Sequence, residues 1–554
     1  MKKSIWILFL LILGCACSRT PSVDEAMQSI TQHSLIKPIE VLSSDAFEGR
    51  GSATPGEEKT VNYLVDQYKE YGLTPGMPDD TYIQKVPVTG QKTSNDARLV
   101  ITKNGKPVHT FNYYDDFMAW PSNGADTVNI ENVPLVYVGY GIQAPEEDWD
   151  DFKGIDVKGK ILVVKNNDPS EDSNRFDGET RLYYGRYDYK YEKARKRGAL
   201  GVLIVHTTPT AGYPWKVVAN SWSGESFYLQ DSPEMHDNPT QFNGWLTKEG
   251  SRKLFESAGL DLGRELAAAE SPDFKPVSLE GLTAGIQLHA QYRDMEIKNV
   301  VGEIEGQDQQ LKDQYMVITA HHDHLGIGPP VDGDSIYNGA LDNASGVSAL
   351  LNLARAFKSI QPKLRRSVLI LAVSGEEQGL LGSSYYAQHP TVSPGKMTTD
   401  LNLDGLNVFG RTKDIVAIGY GRSTIDDILK DEAAKQKRVV KPDQFPDKGY
   451  FYRSDHFSFA KIGVPALYPD MGTEFIGKPE DYGEKVVEQY TENNYHAPSD
   501  EINDDWDLSG AKEDVRLFFR TGYRIINADK MRQWSSGDEF EATRQKMLEQ
   551  ADMR

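Results

Sequence analysis

The chain has 554 residues, with 61 Lys and Arg against 82 Asp and Glu, a formal charge of −21, and 39% apolar residues. At roughly 150 residues per domain this length suggests two to four domains, and the composition is too apolar and aromatic for a disordered chain. The negative balance argues against nucleic acid or an anionic membrane surface as the main partner.

The first residues read as a leader. Lys2 and Lys3 precede an apolar run over residues 5–13, too short for a bilayer span, which needs about 20 residues. Gly14-Cys15 and Ala16-Cys17 follow, and this stretch is similar to the lipobox of bacterial lipoproteins. The resemblance implies a signal peptide over 1–17 and a lipid anchor on Cys15 or Cys17. It also implies a place in the bacterial cell envelope, on the periplasmic side or the outer surface, with membrane contact through the anchor only. These two are the only cysteines, so the folded part has neither a disulfide framework nor a Cys-ligated zinc.

Residues 27–73 predict two helices around a loop at 43–51. The second helix, 57–71, puts Val61, Leu64, Val65 and Tyr68 on one face and stops at Gly72. From near Val133 the texture is that of a small α/β module, with β-rich runs at 133–140 and 160–164, a charged helix over 191–198 and an apolar strand at 200–205. From near Ile297 strands and helices alternate: strand 315–320, helix 344–357, strand 367–373, helix 378–388. This alternation predicts an α/β fold with a mostly parallel central sheet flanked by helices, where functional groups gather at the carboxyl ends of strands. The polar tail from Ser535 predicts a surface helix.

Five segments of the third region place metal-binding side chains beside these elements. They are His321-His322-Asp323-His324, Ala340-Leu341-Asp342-Asn343, Ser374-Gly375-Glu376-Glu377, Leu403-Asp404-Gly405 and Tyr495-His496-Ala497-Pro498-Ser499-Asp500. Each alone is weak: a Glu pair usually opens a helix, and a lone Asp after a strand is often an N-cap. Together, two imidazoles and three carboxylates suit a pair of zinc ions with one carboxylate bridging, and a further carboxylate can serve as base.

The order of these motifs resembles that of the zinc-dependent aminopeptidase family that includes secreted bacterial leucyl aminopeptidases and the glutamate carboxypeptidases. Glu48-Gly49-Arg50 and Thr54-Pro55-Gly56-Glu57 resemble that family's entry segment, and the middle module resembles the protease-associated domain often inserted into these enzymes. The resemblance implies a zinc exopeptidase fold, with peptidase residues 24–115 and 286–530, an inserted domain at 116–285 and a polar tail at 531–554. It implies two Zn²⁺ ions, with His321 on one, His496 on the other, Asp342 bridging, and Glu377 and Asp404 each completing one. Glu376 would be the general base, Asp323 would accept the second imidazole N–H of His321, and Tyr495 would donate to the oxyanion. The family often carries a cis peptide after the bridging acid, here before Asn343. Chemistry alone leaves His322 open as the first ligand, and His321 is favoured because it keeps the His-x-Asp spacing. His324 reads as a neighbour of the ligands or a surface residue. Arg453-Ser454-Asp455-His456-Phe457 resembles a family motif near the cleft.

The expected activity is hydrolysis of N-terminal residues from peptide substrates by a metallo-aminopeptidase. A glutaminyl cyclase-like single-zinc aminoacyltransferase and a carboxypeptidase of the same fold are the alternatives. Oligomeric state is open.

Overall fold

The computed structural model describes residues 19–172, 175–231 and 238–552. The leader, with Cys15 and Cys17, lies outside the described residues. Among the described residues no helix is long and apolar enough to cross a membrane.

Helix α1 (Gln32–Leu42) starts at Thr31, whose hydroxyl accepts from the Ser34 N–H, and buries Leu35, Ile39 and Leu42. Helix α2 (Pro55–Tyr71) carries Pro at its first position, buries Val61, Leu64 and Tyr68, and ends at Gly72 with φ 74°. The chain continues through β1 (Ile83–Thr93), β2 (Arg98–Lys103), β3 (Phe117–Pro121), β4 (Thr127–Tyr137), β5 (Ile161–Lys165), α3 (Tyr187–Lys196), β6 (Gly201–Val205), α4 (Trp215–Ser223) and β7 (Phe242–Leu246). Strand β8 (Val277–Ile304) is the longest of the described strands. Beyond it come β9 (Tyr315–His321), α5 (Gly346–Ser359), β10 (Ser367–Val373), α6 (Leu381–Gln388), β11 (Met397–Asn402), β12 (Ala466–Asp470), α7 (Tyr482–Asn493), α8 (Ser509–Asn527) and α9 (Glu541–Asp552).

Strand β8 belongs to two sheets. Its second half pairs antiparallel with β1 and with β10, and from β10 the central sheet runs in parallel through β9, β11 and β12. Helices cover both faces. Leu350 and Phe357 of α5 and Phe519 of α8 pack with Ile39 and Leu64 on one side, and Tyr386 of α6 packs with Val317 and Leu371 on the other. A sheet buried on both faces needs unbroken apolar strands, and β10 is buried at every position. The first half of β8 pairs antiparallel with β2 and β4. The module's sheet then runs in parallel through β4, β5, β6 and β7 to an antiparallel edge at β3. It has its own cores, around Leu99, Val163 and Leu203 on one face and around Leu162, Ile204 and Trp245 on the other.

Three expectations need correction. The module's sheet begins at β2, upstream of residue 116, and its pairing ends between His289, opposite Thr127, and Ala290, opposite Thr93. The switch lies within one continuous strand, so it leaves no break in the sequence. Helix α6 opens at Leu381 rather than near Gln378, because Gly375 (φ 73°), Gly379 (φ 103°) and Leu380 (φ 61°) first turn the chain. The C-terminal helix is more than surface: Phe540 and Arg544 are buried, and Gly463 and Gly395 approach its backbone closely.

Candidate active site

The five segments meet at the carboxyl ends of the central strands. His321 is the last residue of β9, Glu376 and Glu377 follow β10, and Asp404 follows β11. Asp342 lies in the irregular turn before α5, with a cis peptide to Asn343, and His496 lies in the turn after α7 with φ 55°.

Two sets of donors share Asp342. His321 Nε2 stands 3.3 Å from Asp342 Oδ1 and 3.3 Å from Asp404 Oδ1. His496 Nε2 stands 3.5 Å from Asp342 Oδ2 and 2.9 Å from Glu377 Oε2. Two donors held tetrahedrally around one zinc ion lie about 3.3 Å apart, so these imidazole–acid pairs have a spacing near that which zinc fits. His496 Nε2 is also buried without an aligned hydrogen bond, and it faces the acids. His321, Asp342 and Glu377 form a tight group of their own, their ligand atoms all within 4.8 Å of one another.

The electrostatics show the same demand for positive charge. Burial would raise the Asp342 carboxyl, but the nearby imidazoles of His321 and His496 outweigh it and hold the group well below the usual carboxylate range. Burial likewise opposes ionisation of Glu377, yet His496 and His324 bring it down to about 2. Burial alone would lower the His496 imidazole; Glu377 and Asp342 lift it to about 10. Glu376 differs. Burial pushes its carboxyl well above the usual range, and the pull of His321 is countered by the negative charges of Glu377 and Asp404.

Asp323 acts differently from expectation. The acceptor nearest His321 Nδ1 is the Asp323 carbonyl at 3.2 Å, with the carboxylate at 3.8 Å. That carboxylate instead accepts the N–H groups of Glu376 (3.2 Å) and Glu377 (3.4 Å), fixing the turn that aims both acids. His322 points away, to the Lys298 carbonyl, while His324 Nδ1 meets Glu377 Oε1 at 2.6 Å. The ring of Tyr495 stacks on His496 at 3.9 Å.

Other buried groups hold the ligand loops. Arg50, fully buried, donates to the carbonyls of Leu42, His322, Asn338 and Gly339. The Asp500 carboxylate accepts the N–H groups of Leu341 and Asp342. Both residues stand inside motifs visible in the sequence, although their partners are not. Ser221, in α4 of the module, lies 3.2 Å from His496 Nδ1, and no sequence signal marks it.

Two cavities flank Glu376. One, of about 180 Å³, is bounded by His321, Asp342 and Asp404, with Leu406, Phe409 and Tyr468 among its walls. The other, of about 110 Å³, is bounded by Glu377 and His496 and by Val218, Ser221 and Trp222 of the module. Tyr213, Arg453 and Tyr495 border both.

Residues 299–519 match the profile of Peptidase family M28. That segment carries all five of the motifs that meet at the site. A "Probable zinc metalloprotease" of Pyrenophora teres f. teres is 35% identical over 108 residues, 20% of this chain and 22% of that protein. A "Glutamate carboxypeptidase 2 homolog" of Caenorhabditis elegans is 22% identical over 49% of this chain and 36% of its own length. The chain thus spans well under half the length of these curated relatives. Among solved structures, an aminopeptidase from Aneurinibacillus sp. strain AM-1 is similar in fold, with a TM-score of 0.54 and 19% identity over 91% of this chain and 96% of that one.

Proposed function

We propose that the protein is a zinc-dependent exopeptidase, acting as an aminopeptidase on peptide substrates. The observation that carries this reading is the pair of donor trios sharing Asp342, with a fourth acid, Glu376, beside them and bordering both cavities. His321, Asp342 and Asp404 would hold one ion, and His496, Asp342 and Glu377 a second. Zinc bound there lowers the pKa of a coordinated water and polarises the scissile carbonyl.

The chain's own groups do the rest. Glu376, held by the turn that Asp323 fixes, takes the water's proton at a carboxylate oxygen and returns it to the leaving amine. Tyr495 borders both cavities, where its hydroxyl can donate to the carbonyl oxygen as charge develops on it. The module closes one side of the cleft through Tyr213, Ser221 and Trp222 and limits what reaches Glu376.

The test is a panel of free and N-acetylated aminoacyl-anilides, with and without chelator. The reading expects the free substrates to be cleaved in preference and chelation to stop the reaction. Preference for the blocked substrates, or activity indifferent to chelator, rejects it.

A further inference from the structure

Three guanidinium groups, of Arg181, Arg186 and Arg453, gather on the wall between the module and the metal loops, close enough to oppose one another's charge. Two of them are engaged. Arg181 donates to the Asn167 side chain and to the carbonyls of Thr210 and Ala211, and Arg186 pairs with Asp188 at 3.4 Å. Arg453 differs: among the described residues its guanidinium has no acidic partner, and its one polar side-chain neighbour is the Tyr495 hydroxyl. Its neighbours are aromatic. The rings of Tyr213 and Tyr450 each lie 5.4 Å from its guanidinium carbon, and the Tyr495 hydroxyl faces it. It borders both cavities, as Glu376 does.

We propose that Arg453 anchors a substrate carboxylate, so that the site selects peptides bearing a carboxylate on a residue flanking the scissile bond. This rests on the peptidase reading above and adds the substrate class. A cation drawn partly out of water without a counter-ion is costly, and a carboxylate ligand removes that cost. Of the other charged groups bordering the two cavities, Arg186 is already paired with Asp188, and Asp342, Glu376, Glu377, Asp404 and Asp470 are acids that would repel such a ligand. The guanidinium fork matches a carboxylate in two parallel hydrogen bonds, and the tyrosine rings limit the water that would weaken them. The carboxylate can come from the free C-terminus of a dipeptide or from an Asp or Glu side chain.

The experiment compares kcat/KM of the zinc-loaded enzyme for Leu-Ala against Leu-Ala-amide, and for Leu-Glu-amide against Leu-Gln-amide. The acid form should win by at least about tenfold in one pair or both, which identifies the source, since a hydrogen bond to a charged group contributes on that scale. Arg453→Gln should bring each ratio towards one, with Arg453→Lys in between. Calorimetric titration of zinc-loaded Glu376→Gln with Leu-Ala and its amide reads the same preference without turnover. Equal affinities in that titration, or ratios near one in the parent enzyme, overturn the proposal. Tighter binding of the acid with no hydrolysis of any peptide would sink the peptidase reading and leave the carboxylate anchor standing.

Discussion

Glu376 and Glu377 are adjacent in the chain and meet different neighbours. Glu377 sits between two imidazoles, whereas burial pushes the Glu376 carboxyl well above the usual range and the pull of His321 is offset by Glu377 and Asp404. Glu376→Gln should therefore keep both ions, by elemental analysis, and lose at least about 10² in kcat, the scale of a general base. Wild-type turnover in that variant would remove the assignment. Ser221 is the second residue to test. By holding Nδ1 of His496 it fixes which nitrogen faces the acids. Ser221→Ala should weaken zinc binding about 10- to 100-fold in competition with a chromophoric chelator, and Ser221→Thr should restore most of it. Unchanged affinity would make the contact incidental. The five candidate ligands were legible because each stands at or near the end of a strand or helix whose period the sequence displays. Ser221 was not, because its contact spans 275 positions and joins two separately cored parts of the chain.

At the scale of elements, the loop after β6 carries Tyr213 to the cleft and is held by His206. The His206 imidazole donates from Nε2 to the Tyr213 carbonyl at 3.1 Å, against the rings of Trp215 and Trp245. Burial lowers it to about 4, against the raising effect of the Tyr213 carbonyl. The unfolded chain therefore binds a proton at this residue near pH 6.5 and the folded one only near pH 4. Stability is fully present above pH 6.5 and is lost as pH falls from there to about 4, by about 3 kcal/mol in all. Urea melts at pH 7.5 and pH 4.5 should show a smaller acid-side loss for His206→Gln than for the natural chain; an equal loss in both contradicts the assignment. The strands and helices near the candidate ligands follow the sequence pattern closely. Strand β8 does not, because a strand that leaves one sheet for another keeps its alternation, and only its partners change.

Over the whole molecule, one long strand ties a separately cored module to the central sheet, and the module's Tyr213, Ser221 and Trp222 complete the cleft. Because ions that bind only the folded chain stabilise it, stripping them should lower Tm, and restoring zinc should raise it again in a concentration-dependent way. The direct test is the zinc content of chelator-stripped protein after re-equilibration with the metal, for the natural chain and for Asp342→Ala. Sharing of Asp342 by two trios predicts about two zinc ions per chain, falling to one or none in the variant. One ion or none in the natural chain, or two retained without Asp342, would contradict it.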